Sequence, residues 1–258
     1  MSIAQKNSPL FQLNKVPEIT LYFWLLKILC TTVGETAADY LNVDLNFGLT
    51  GVSFFMASLL AVALLIQVPA KQYQAWLYWL VVALISVVGT LITDNLVDNF
   101  GVALSTTTMM FSAALIVTFA LWYAQEKTLS IHSIFTRQRE LFYWATILFT
   151  FALGTAAGDW IAETMGFGYA NSALLFGGMI GAVCITYYDS KLNPIVAFWL
   201  AYILTRPLGA SLGDYLSQST ENGGLGLGAG TTNLMFFAAI VGLVIYLSIT
   251  QLDRQEKI

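Results

Sequence analysis

Residues 198–214 read FWLAYILTRPLGASLGD. An aromatic residue and a tryptophan open the stretch. A glycine stands ten residues after the tryptophan, and an aspartate five after the glycine. The same phrase occurs three more times, as Phe23, Trp24, Gly34 and Asp39, as Tyr78, Trp79, Gly89 and Asp94, and as Tyr143, Trp144, Gly154 and Asp159. The pattern is [FY]-W-x9-G-x4-D, and all four copies satisfy every position. Other columns vary freely; one of them holds Lys27, Val82, Ile147 and Tyr202. Self-similarity of this kind is read before any other signal, because it decides the architecture.

Only 10% of the 258 residues are charged, and the mean hydropathy is +0.71. Both point to a membrane protein. A bilayer core of about 30 Å needs roughly 20 apolar residues per helix. Eight candidate spans follow, at about 17–41, 47–68, 73–97, 102–124, 140–162, 168–187, 193–216 and 230–250. The opening residues are polar, so a cleaved signal peptide is not expected. The expected fold is all-α, a single transmembrane domain over 1–258, with helical-hairpin repeats at about 17–70, 71–126, 138–189 and 192–251. The repeats would be related by pseudo-two-fold or pseudo-four-fold symmetry about the membrane normal.

The repeat glycines are 55, 65 and 55 residues apart. The longer middle step is the polar loop EKTLSIHSIFTRQRE at 126–140. Each repeat holds one motif helix and one return helix, so the four motif helices run parallel. This arrangement resembles a bacterial integral membrane family of unknown function built of four tandem repeats. Each of its repeats has two transmembrane segments and a characteristic tryptophan, matched here by Trp24, Trp79, Trp144 and Trp199. The resemblance implies an eight-helix protein of the bacterial inner membrane, and no substrate.

Nine of the eleven basic residues fall on the side of the termini, namely Lys6, Lys15, Lys71, Lys127, Arg137, Arg139, Lys191, Arg254 and Lys257. The opposite side holds Asp44, Asp98, Glu163 and Glu221, together with the four repeat aspartates. The positive-inside rule then puts both termini in the cytoplasm and the aspartates toward the outer face.

A helix turns about 100° and rises about 1.5 Å per residue. Tryptophan and aspartate, fifteen residues apart, are therefore separated by about 22 Å, with Gly34, Gly89, Gly154 and Gly209 near mid-membrane. Glycines at that depth let helices approach closely; a hinge is the alternative. The tryptophans read either as an interfacial belt or as a gate or aromatic pocket. The aspartates read either as solvated helix ends or as a functional ring; their negative charge opposes the macrodipole of a helix C-terminus. The first copy adds Glu35, and the second adds Asp98, four residues after Asp94. Lys27 lies two turns below Glu35, and Arg206 two turns below Asp214. An ion pair inside the membrane is expected for these bases, either as fixed packing or as a counter-ion released when a cation binds.

Carboxylates held close together need a proton or a cation among them. The metal-site candidates are Asp39, Asp94, Asp159, Asp214 and Glu35. Oxygen-only donors favour a hard divalent ion such as Mg²⁺ or Mn²⁺. His132 is the only histidine and lies in a polar loop, which excludes a histidine-rich metal site or a histidine-based triad. Cys30 and Cys184 both fall in spans and form no framework. There is no phosphate-cradling loop and no basic stripe for nucleic acid. The leading expectation is a secondary transporter or channel for a small cation, with the lipid bilayer and the ion as partners and no enzymatic activity. The alternatives are a carrier of an organic cation or polar solute, using the [FY]-W aromatics, and a membrane scaffold or sensor.

Overall fold

The computed structural model describes residues 14–189 and 192–254. Of the bases used to orient the chain, Lys6, Lys191 and Lys257 lie outside the described residues. Among the described residues the chain forms eight long helices. The motif helices are α1 (Leu21–Asp39), α3 (Ala75–Asp94), α5 (Arg137–Asp159) and α7 (Pro194–Ser217). The return helices are α2 (Leu49–Gln67), α4 (Leu104–Glu126), α6 (Tyr169–Asp189) and α8 (Ala229–Thr250).

Local chemistry sets several of these ends. Thr20 and Thr136 accept hydrogen bonds from Phe23 N and Arg139 N, and Asn193 accepts from Ile195 N and Val196 N ahead of Pro194. These side chains satisfy amides that the first turn leaves open. Lys127 and Gln251 close α4 and α8 in the left-handed region.

The four motif helices form a closed ring. α1 packs on α3, α3 on α5, α5 on α7, and α7 back on α1. Each return helix leans on the motif helix of the next repeat: α2 on α3, α4 on α5, α6 on α7, and α8 on α1. A repeat is thus a hairpin in sequence whose main packing partner is its neighbour. Burial follows this plan. Between 61% and 72% of the α3, α5 and α7 spans is enclosed, against 11–28% of the return helices, whose apolar faces are left for lipid.

Seven of the eight helices are long and apolar enough to cross a membrane. The exception is α1. Its polar residues Lys27, Thr31, Thr32, Glu35 and Thr36 are all buried, so its low apolarity belongs to faces that other helices cover.

Directly after the repeat aspartate, three motif helices widen into π turns, at Tyr40–Asp44, Asn95–Asn99 and Trp160–Thr164. The amides of Leu45, Phe100 and Met165 reach back five residues to Tyr40, Asn95 and Trp160. The next residue in each is Asn46, Gly101 or Gly166, at φ 53°, 65° and 70°. That conformation is open to glycine and tolerated by asparagine. In the fourth repeat α7 stays α-helical to Ser217 and then turns through Thr220–Asn222.

The loop at 126–140 packs beneath the ring at the terminal end. Ile131 and Ile134 are buried, Trp199 Nε1 donates to Leu129 O at 2.9 Å, and Arg139 meets Glu126 at 2.5 Å.

Candidate functional site

The axis of the ring can be followed layer by layer from the terminal end. The first layer is an aromatic wheel. The aromatic residue of each repeat meets the tryptophan of the next. Ring centroids are 5.6 Å apart for Phe23–Trp79, 5.5 Å for Tyr78–Trp144, 6.4 Å for Tyr143–Trp199 and 5.7 Å for Phe198–Trp24. These tilted contacts add to the area buried. Trp79, Trp144 and Trp199 are buried and Trp24 half-buried. The tryptophans turn inward, so they do not form an interfacial belt.

Next comes the column of Lys27, Val82, Ile147 and Tyr202, all fully enclosed. The Lys27 ammonium lies 3.8 Å from the centre of the Phe151 ring and 4.2 Å from that of Tyr202. It makes no hydrogen bond and no salt bridge among the described residues. The ion pair expected at Lys27 is therefore corrected, and Glu35 on the same helix is out of its reach. Eight residues along one helix is a rise of about 12 Å, too far for direct contact.

The repeat glycines come next, and each faces the residue three before the glycine of the following repeat. A methyl at Gly34 would lie 1.8 Å from Ser86 Oγ, and at Gly89 2.7 Å from Phe151 Cβ. At Gly154 it would lie 2.3 Å from Arg206 Cγ, and at Gly209 1.9 Å from Thr31 Oγ1. The motif helices touch where no side chain fits between them.

Arg206 belongs to that facing column and extends into the axis, fully buried. Its guanidinium donates to Glu35 Oε2 at 2.7 Å, to Thr155 Oγ1 at 2.6 Å, to Thr90 Oγ1, and to Thr31 O at 3.3 Å. Glu35, Thr90 and Thr155 occupy one column, the residue after the repeat glycine, in which the fourth member is Ala210. Three repeats thus hold the cation supplied by the fourth. Arg206 pairs with Glu35 and not with Asp214, which lies about 12 Å further along its own helix.

The last layer is acidic. Ligand oxygens of Glu35, Asp159 and Asp214 all lie within 4.8 Å of one another, with Glu35 and Asp214 buried and Asp159 half-buried. Asp39 and Asp94, half-buried, stand outside this group, although the charge of Glu35 reaches all four repeat aspartates. The expected five-residue cluster narrows to a triad. Arg206 Nη2 bonds Glu35 of α1, Thr90 of α3 and Thr155 of α5 together. Asp98, expected in an ion pair or a gate, is exposed in the π turn of the second repeat and joins no salt bridge among the described residues, which corrects the ion pair.

No side chain caps the start of α2, α4 or α8. Thr107 and Thr232 donate to their own helix, to Ala103 O and Gly228 O. Asn233 clasps Thr36 in both directions, which ties α8 to α1. Met109, Met110 and Met235 are exposed on the outer surface.

Sequence reasoning missed two buried polar contacts at the terminal end. Lys15 meets Glu140 at 2.6 Å, and Trp144 Nε1 lies 3.4 Å from the same carboxylate. The i, i+4 spacing of Glu140 and Trp144 was the available signal. The Tyr73 hydroxyl donates to the Asp253 carboxylate, whose pKa is raised by burial.

A family described as a Repeat of Unknown Function (DUF347) matches residues 22–73, 77–128, 142–193 and 197–253, one match for each motif helix and its return. Comparison with curated proteins and with solved structures gives no match. With most of its length covered by four successive matches, this multi-pass membrane protein belongs to the DUF347 repeat family.

Proposed function

We propose that this protein is a gradient-driven carrier of a small cation, a divalent metal such as Mn²⁺ or Mg²⁺, in the bacterial inner membrane. The observation that carries the reading is the triad: three carboxylates gathered within 4.8 Å at the aspartate end of a closed helix ring. Two oxygens on opposite sides of one ion are separated by twice the metal–oxygen bond, about 4 to 5 Å for these hard cations. The donors are all oxygen, the set such ions prefer.

Arg206 acts in this reading as a resident cation. It holds Glu35 while the site is free of metal, and a divalent ion competes with it for the same carboxylate. The bases on the terminal side support cytoplasmic termini and an outward-facing triad. The aromatic rings of the wheel pack on one another, which weighs against an organic cation seated among them. The protein works as a carrier and not as an enzyme.

The test is Mn²⁺ flux into proteoliposomes, read with a metal-sensitive dye inside. Asp159→Asn and Asp214→Asn are expected to lower the flux at least about tenfold. Flux unchanged in both would reject the site. Mn²⁺ binding without flux in the parent protein would instead favour an ion-sensing scaffold.

A further inference from the structure

The terminal end of the ring is closed twice, by the aromatic wheel and by the segment that precedes α1. Asn14, Lys15 and Val16 are buried although they belong to no helix. Val16 joins the apolar cluster that contains the wheel tryptophans. The Lys15 amide donates to Ile134 O at 3.1 Å, and the Glu18 amide to Asp253 O at 2.9 Å. Residues 14–18 thus form a strap between the 126–140 loop and the tail after α8.

Both anchors of the strap lead to one contact of the wheel. Lys15 Nζ meets Glu140 Oε2 at 2.6 Å and Val68 O at 2.7 Å. The other oxygen of Glu140 accepts from Trp144 Nε1 and from Gln67 Nε2, each at 3.4 Å. At the far anchor the Asp253 carboxylate accepts from Tyr73, whose ring packs on Tyr78 with centroids 5.7 Å apart. Tyr78 of α3 and Trp144 of α5 are themselves wheel partners, and the Tyr78 hydroxyl bonds that of Tyr143. The strap therefore clamps the seam between α3 and α5, one of two places where the first pair of repeats meets the second.

Stability alone does not account for an ion pair at this point. Lys15 and Glu140 are 8% and 1% exposed, and a buried pair is often no more stable than apolar residues of its size. What such a pair supplies is two alternatives. With the strap seated, each charge compensates the other. With the strap lifted, water hydrates both. A half-withdrawn strap leaves Glu140 enclosed without its cation and is penalised, so the strap is either seated or released.

We propose that this strap is the inner gate of the carrier, with Lys15 and Glu140 as its latch and the α3–α5 seam as the opening it controls. The inference rests on reading the triad as a cation site. An ion that enters at the aspartate end leaves at the terminal end only when the wheel parts. Release of Lys15 frees Glu140 and with it Trp144, and release of the Glu18 amide loosens Asp253 and Tyr73 beside Tyr78. The strap runs directly into α1, whose Glu35 belongs to the triad. An ion that draws Glu35 from Arg206 therefore acts on the helix that carries the strap, and it favours the lifted position.

The experiment follows the maleimide reactivity of Val16→Cys in the full chain in detergent, in a Cys30→Ala, Cys184→Ala background, with Mn²⁺ as probe. Each variant is checked by gel filtration for a folded protein, and Mn²⁺ flux is measured on the same proteins in proteoliposomes. The cysteine should react slowly while the strap is seated. Lys15→Met should speed the reaction at least about tenfold; Glu140→Gln takes its place where that variant does not fold. Mn²⁺ should speed the reaction at least about threefold with the latch intact, and Asp214→Asn should remove this response. A merely structural strap would answer to Lys15→Met and not to Mn²⁺. A rate that Mn²⁺ leaves unchanged therefore overturns the gate, and so does a rate that the latch variants leave unchanged. Mn²⁺ flux that persists in either case leaves the carrier reading standing while the gate falls. Strap opening driven by Mn²⁺ without any Mn²⁺ flux would support the coupling of triad to strap and reject the carrier reading instead.

Discussion

Glu35 of α1 and Arg206 of α7 meet at 2.7 Å on the ring axis, with the guanidinium fully enclosed and the carboxylate nearly so. The contact joins the first repeat to the last and stands at the floor of the acidic layer. Removing one partner leaves the other buried without compensation, at a cost of about 3–5 kcal/mol. Glu35→Gln and Arg206→Met should each lower the thermal midpoint in detergent. The double variant should fall well short of the summed losses. Additive losses would show that the two side chains do not depend on each other.

The glycine columns predict a graded series. A methyl at Gly89 meets the Phe151 and Ala152 backbones at 3.2 and 3.1 Å, and one at Gly209 meets the Thr31 backbone at 3.1 Å. At Gly158 the nearest atom is 3.6 Å away. Gly89→Ala and Gly209→Ala should destabilise by about 1–3 kcal/mol through forced backbone shifts, while Gly158→Ala should be close to neutral. Thermal unfolding of the three purified variants checks the order.

Metal affinity should separate the repeat aspartates into two classes. Asp159→Asn and Asp214→Asn should weaken Mn²⁺ binding by at least about tenfold, because each removes a direct oxygen. Asp39→Asn and Asp94→Asn act only through longer-range charge and should weaken it by a few-fold. Titration followed by Mn²⁺ paramagnetic resonance measures all four. Equal losses across the four would mean that the ring binds as a symmetric quartet.

Burial raises Asp253 above the ordinary carboxylate range, against the opposing pull of its hydrogen bond from Tyr73. A raised pKa in the folded state means that the proton favours docking of this tail. The contribution is complete below about pH 4, the ordinary carboxylate value, and is lost as pH climbs through the raised value. The backbone amide of Glu18 donates to Asp253 O at 2.9 Å and reports docking directly. Its hydrogen-exchange protection, corrected for intrinsic rate, should fall with rising pH. Asp253→Asn should remove that dependence, and Tyr73→Phe should move it to higher pH.

The repeat was legible because tryptophan, glycine and aspartate each answer a demand that recurs in every copy: a wheel contact, a close crossing and an acid at the aspartate end. The π turns were not, since no residue type marks them beyond the Asn46, Gly101 and Gly166 that close them. The sequence marks Lys27 and Arg206 as buried bases, but it does not show which helix supplies a partner. Arg206 finds its partner on a neighbouring helix, and Lys27 finds aromatic faces. Thr90 and Thr155 stood in the Glu35 column throughout. Their role becomes visible only when the fourth repeat supplies an arginine for that column to hold.

The packing of every return helix on the following repeat has a consequence for biosynthesis. α1 receives its outer neighbour from α8, which is made after the other seven long helices of the described residues. Until then the face of α1 that carries Thr36, which Asn233 of α8 covers, is open to the bilayer. Enclosure of the first repeat therefore waits for synthesis of the fourth.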